Sequence, residues 1–165
     1  MDYMERALKL AARAAGMVSP RPPVGCVLVN DGEIVGEGFT TVSPGPHAEV
    51  AALRSAGDRA KGAHAYTTLE PCNHHGNTPP CTDALLNAGV ASVTPAIEDP
   101  DPRVDGTGIR RLRAAGVEVS DGVSEAHTSR AWELIEGFAR LTKTRRPLVI
   151  AKYAMSLDGK IATRT

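Results

Sequence analysis

What this 165-residue chain has little of narrows its function first. It carries three Tyr, two Phe and one Trp, too few aromatic rings to stack on successive nucleic-acid bases. Neither charge is in excess, with 19 basic against 19 acidic side chains, so no broad field draws it to a phosphate backbone. No apolar run reaches the ~18 residues that a membrane span needs. The start, Met1-Asp2-Tyr3-Met4-Glu5-Arg6, reads as a helix opening and not as a signal peptide. Three cysteines cannot all pair, and two are better used on a metal in a reducing cytoplasm. The length predicts one domain with a short appendage.

What is present centres on one stretch. Pro46-His47-Ala48-Glu49 is followed by Leu69-Glu70-Pro71-Cys72 and closed by Pro79-Pro80-Cys81. One imidazole and two thiolates make a three-ligand zinc site with a fourth position open. A Glu two residues past the His is the general acid/base that zinc deaminases keep beside the metal. Prolines ahead of His47 and Cys81 predict a helix starting at each. A thiol in a helix's first turn is expected to have a lowered pKa. The pattern implies hydrolytic removal of an amino group from a heterocyclic base. Cys26 lies inside an apolar strand pattern and reads as a small buried hydrophobe.

The remaining chain reads as alternating elements. A helix is expected over residues 2–15, capped by Asp2 with Glu5 as return partner, its stripe running through Met4, Leu8, Ala11 and Ala15. Gly16 stops it. Residues 24–29 and 33–39 make a hairpin around Asp31-Gly32. Helices are expected from His47, over 81–88, over 107–115 and from Ser124 to about Thr142, and strands over 64–69, 90–97, 117–119 and 148–154. His64 reads as solvated, and His127, in a helix far from the motif, as a surface residue. Alternating strands and helices imply a largely parallel sheet with helices on both faces. Ligands then bind outside the carboxyl ends of the strands.

The residues also resemble a known family. Pro22-Pro23-Val24-Gly25-Cys26-Val27, His47-Ala48-Glu49-Val50, Thr68-Leu69-Glu70-Pro71-Cys72, His74-His75-Gly76 and Thr78-Pro79-Pro80-Cys81 look like the deaminase half of the bifunctional riboflavin-biosynthesis deaminase/reductase, within the cytidine deaminase superfamily. Asp99-Pro100-Asp101-Pro102 also fits. The resemblance implies a three-layer α/β/α sandwich with a mixed, mostly parallel sheet over residues 1–145. It implies zinc on His47, Cys72 and Cys81, and Glu49 as the proton-transferring group. Residues 146–165 are similar to the opening of the reductase half, whose nicotinamide site would need far more chain.

A substrate contact is expected from Arg21, Ala48, His74, His75, Asn77 and Asp99. Two of these depart from the family pattern. Arg21 stands where Asn is common, and Asn77 where a cation is usual. The implied function is hydrolytic deamination, with water, of a small aminopyrimidine, most like the riboflavin-pathway diaminopyrimidine ribosyl phosphate. The alternative is a diverged deaminase of a cytosine- or guanine-type base or nucleoside. A non-catalytic zinc scaffold would have no use for Glu49. Neither membrane nor nucleic acid is expected as a partner; a homo-oligomer is compatible with the resemblance.

Overall fold

The computed structural model describes residues 1–76 and 79–161, so the expectation for Asn77 lies outside the described residues. In order come α1 (Tyr3–Ala14), β1 (Gly25–Asn30), β2 (Glu33–Phe39), α2 (Ala48–Ala56), a 3-10 turn (Gly57–Ala60), β3 (His64–Thr67), α3 (Cys81–Asn87), β4 (Ser92–Pro95), α4 (Thr107–Ala114), β5 (Glu118–Val119) and α5 (Glu125–Thr144). The strands form one sheet in the order β2-β1-β3-β4-β5.

The hairpin forms because Asp31 (φ 49°) and Gly32 (φ 79°) both take the left-handed conformation, as a type I′ turn requires. The chain then leaves β2 through α2 and steps over β1 to reach β3. That crossover makes β3 run with β2 and therefore antiparallel to β1. Next come β4 and β5, each parallel to its neighbour. The sheet is mixed as expected, and parallel pairing covers its β3-β4-β5 half. The carboxyl ends of β2, β3 and β4 point the same way, and the loops leaving them carry the site.

Helices cover both faces. One layer is α1 with α5; the other is α2, α3 and α4. The α2 backbone lies so close to β2 that a Cβ on Gly38 would sit 2.2 Å from the Ala48 carbonyl oxygen. Leu8, Val27, Leu28, Leu85, Val93, Leu112 and Ile135 are buried between the layers. Burial of each such side chain stabilises by about 1.5–3 kcal/mol. Among the described residues no helix is long and apolar enough to cross a membrane.

Several local expectations are corrected. Asp2 caps α1 by accepting the Glu5 N–H (2.9 Å), but the Glu5 carboxylate turns to Lys9 and Arg130 instead of completing the box. Ala15 is exposed, and Ala14 takes its place on the buried stripe. The strand expected over 148–154 does not form. Residues 146–161 contain neither helix nor strand, and Val149, Ile150 and Tyr153 are exposed, since no strand edge pairs with them. His64 is not simply solvated. Its ring stacks on Tyr66 (4.3 Å between centroids) and bonds Thr94 Oγ1 and Ser92 Oγ, each at 2.7 Å. His127, on the surface of α5, pairs with Asp2, its Nε2 3.0 Å from Asp2 Oδ2.

Candidate active site

Three strand exits converge on one cavity of about 650 Å³. The loop after β2 delivers His47 as the N-cap of α2. Its ring makes no capping bond and is left free for a ligand. In the first turn of α2, Glu49 faces the same cavity with only 4% of its surface exposed. The loop after β3 brings Cys72, and Pro80 sets Cys81 as the first residue of α3.

His47 Nδ1 lies 3.7 Å from Cys72 Sγ and 3.3 Å from Cys81 Sγ, and the three atoms fall within 4.8 Å of one another. Tetrahedral zinc, with bonds of about 2.3 Å to sulfur and 2.0–2.1 Å to nitrogen, separates such atoms by roughly 3.5–3.8 Å. The donor types and spacings therefore fit zinc. The cradle is stiffened by backbone: the Cys81 N–H donates to Cys72 Sγ (3.4 Å) and the Thr82 N–H to the Cys72 carbonyl (3.2 Å).

The thiols divide their charge unequally. Hydrogen bonds from the Cys81 thiol, the His47 ring and the Cys81 backbone pull Cys72 down to about 4. Cys81 is pushed well above the ordinary thiol value by its bond to Cys72, by burial and by the charge of Glu49. This reverses the lowering expected for Cys81 from its place at a helix start. One negative sulfur beside another outweighs the partial charge of a short helix, and a divalent cation would relieve it. Burial, then the Cys72 charge, raises Glu49 to about 7. Cys26 is fully buried and its thiol is pushed up by burial, as an inert core residue should be.

Opposite the cradle, the loop after β4 brings Asp99. Burial raises its carboxyl to about 6, while its Oδ1 accepts the Asp101 N–H (2.9 Å). Asp101 in turn is held ionised by Arg103, whose Nε is 3.0 Å from both carboxylate oxygens. His74 lines the cavity and its buried Nδ1 has no partner among the described residues. His75 is exposed and not part of the wall. Ala48 is fully buried under β2 and also off the wall. Arg21 is on it, but its Nη1 donates to the Gly45 (2.7 Å) and Thr41 (3.3 Å) carbonyls, bracing the loop that leads to His47.

Glu70 is the residue whose role the motif did not disclose. It is 2% exposed, and its carboxylate accepts four backbone N–H groups. Oε2 takes Asp99 (3.1 Å) and Gly106 (3.0 Å); Oε1 takes Gly108 (2.8 Å) and Ile109 (3.1 Å). It thereby ties the Cys72 loop to the Asp99 loop and to the start of α4, where unpaired N–H groups favour an anion. A Cβ on Gly108 would lie 2.0 Å from the Pro71 carbonyl oxygen, so only glycine admits this approach. The signal available in the sequence was a Glu beside a metal ligand with a Gly-rich turn downstream. The α5 residues Phe138, Leu141 and Thr142 and the cap residue Arg145, which also line the cavity, gave no such signal.

Comparison with known proteins agrees with this geometry. Residues 1–96 match the family model described as the cytidine and deoxycytidylate deaminase zinc-binding region. The riboflavin biosynthesis protein RibD of Escherichia coli (strain K12) is 54% identical over 160 residues, covering 97% of this chain and 43% of that protein. Acinetobacter baumannii RibD, form 1, superposes with a TM-score of 0.88 at 47% identity, over 95% of this chain and 43% of the other. The Thermotoga maritima diaminohydroxyphosphoribosylaminopyrimidine deaminase/5-amino-6-(5-phosphoribosylamino)uracil reductase gives 0.89 at 44% identity, over 98% and 46%. The chain thus spans less than half the length of these relatives. With more than half of its residues inside that family model, the chain belongs to the cytidine and deoxycytidylate deaminase zinc-binding family.

Proposed function

We propose that the chain is a zinc-dependent deaminase that hydrolyses the amino group from the riboflavin-pathway diaminopyrimidine ribosyl phosphate. The observation that carries this reading is the convergence of His47 Nδ1, Cys72 Sγ and Cys81 Sγ within 4.8 Å of one another, against a cavity lined by His47, Cys72 and the buried Glu49. His47, Cys72 and Cys81 would hold the zinc, which supplies Lewis acidity that brings the pKa of a water toward 7.

Glu49 moves the protons. Its carboxylate takes one from the attacking water and passes it to the ring nitrogen beside the amino-bearing carbon. That carbon becomes electrophilic and the water oxygen adds; Glu49 then takes the remaining proton from the added hydroxyl and delivers it to the amino nitrogen, so that the carbon–nitrogen bond breaks, a carbonyl forms and ammonia departs. Burial raises the proton affinity of this carboxyl, which suits a group that must both accept and donate a proton. Asp99 and His74 are the wall residues we assign to the base and its neighbourhood; Arg21 acts through the loop it braces. The deaminase unit would end near residue 145, where α5 stops. A reducing cytoplasm would keep both ligand thiols free.

Ammonia release tests the substrate. Zinc-loaded protein should turn over the phosphorylated diaminopyrimidine faster than its unphosphorylated form, cytidine, dCMP or guanine. A clear preference for a cytosine or guanine substrate would replace this reading with the diverged-deaminase alternative.

A further inference from the structure

Resting on that reading, we propose that Arg145 is the cation that receives the phosphate end of the substrate at the cavity mouth. Three arginines line the cavity: Arg21, Arg103 and Arg145. Arg21 donates to two backbone carbonyls and Arg103 is paired with Asp101. Among the described residues, the Arg145 guanidinium alone of the three has no hydrogen-bond or ion-pair partner. An unpaired guanidinium offers a planar fork of donors suited to phosphate oxygens.

The backbone at Arg145 gives independent support. It caps α5 in the left-handed conformation (φ 57°, ψ 21°), its N–H donating to the Leu141 carbonyl (2.9 Å). That position favours glycine. Among the described residues the other non-glycine positions at positive φ are Asp31 and Asp105, of a type that tolerates it. A charged side chain at a position that favours glycine, with no polar partner among the described residues, points to a role in function. A cation at a helix C-terminus gains from the dipole wherever it points; that gain does not require Arg145 to line the cavity beside Thr142 and Leu141.

The test uses the zinc-loaded chain with Arg145→Gly and Arg145→Lys. Ribose 5-phosphate, with ribose as control, is titrated by calorimetry, and the melting temperature of each variant is recorded. The wild type should bind ribose 5-phosphate, Arg145→Gly roughly tenfold or more weakly, and Arg145→Lys in between. Arg145→Gly should melt no lower than the wild type, because glycine suits the turn. In ammonia release, the ratio of kcat/KM for the phosphorylated over the unphosphorylated diaminopyrimidine should fall in Arg145→Gly. Equal ribose 5-phosphate affinity in wild type and Arg145→Gly, or none in the wild type, overturns the role. Arg145-dependent binding without turnover of the diaminopyrimidine sinks the proposed reaction instead and leaves the anion site standing.

Discussion

At the floor of the cavity, His47 and Glu49 ride on the cap and first turn of a helix, and Cys72 is locked by backbone bonds to the buried Cys81 and Thr82 behind it. At the mouth, Arg21, Asp101, Arg103 and Arg145 sit on loops or at a helix end, and most are occupied with one another or with backbone. Floor residues are placed by their own local structure. At the mouth, Arg21 is placed by carbonyls 20 and 24 residues away and Arg103 by the nearby Asp101 carboxylate, and Glu70 joins the two regions. The floor should therefore fail through chemistry when altered, and the mouth through geometry, stability or selectivity.

The largest expected effect is at the floor. Cys72→Ala or Cys81→Ala should strip the metal and abolish turnover, whereas Cys26→Ala should keep about one zinc per chain, since it is buried in β1 away from the cradle. Metal analysis of the three variants decides this; zinc lost only from the Cys26 variant would mean the ligand set is wrong.

The junction comes next. In Glu70→Gln an amide NH₂ would face two of the four N–H groups. Each buried donor left unpaired costs about 1–3 kcal/mol, so unfolding should become easier by about 2–6 kcal/mol. Chemical denaturation measures it. An unchanged midpoint would show that floor and mouth are not joined through this carboxylate.

The smallest effect is at the mouth and has the opposite sign. Asp99 is raised from 3.8 to about 6 in the folded state, so the folded protein holds its proton more tightly than the unfolded chain. Folding is penalised at neutral pH, and the penalty is relieved as pH falls through 6 toward 4. Asp99→Asn keeps an oxygen for the Asp101 N–H and should stabilise by about 1–2 kcal/mol at pH 7, fading toward pH 4. Denaturation at both pH values checks it, and a gain independent of pH would contradict the burial account.

The same contrast explains what could be read from the chain alone. His47, Glu49, Cys72 and Cys81 were legible because zinc chemistry demands those side chains at short spacings beside helix starts. The hairpin was legible because Asp31-Gly32 announces its turn. Arg21 was not: its identity suggests an anion partner, but its donors meet carbonyls 20 and 24 residues away. Glu70 accepts from residues 29 to 39 positions onward, a relation no local pattern carries. The strand expected over 148–154 rested on apolar residues, yet a strand also needs an edge to join. The antiparallel β1–β3 pairing was hidden in a crossover choice that follows from where α2 packs.

The account turns on Glu49 moving protons without holding metal. Zinc content and ammonia release from the diaminopyrimidine ribosyl phosphate, measured on the same preparations of wild type and Glu49→Gln, test that directly. The variant should fold, keep about one zinc per chain and lose about 10²–10⁴-fold or more in turnover, as loss of a general acid/base group does. A variant that has lost its zinc, or that releases ammonia at the wild-type rate, would contradict it.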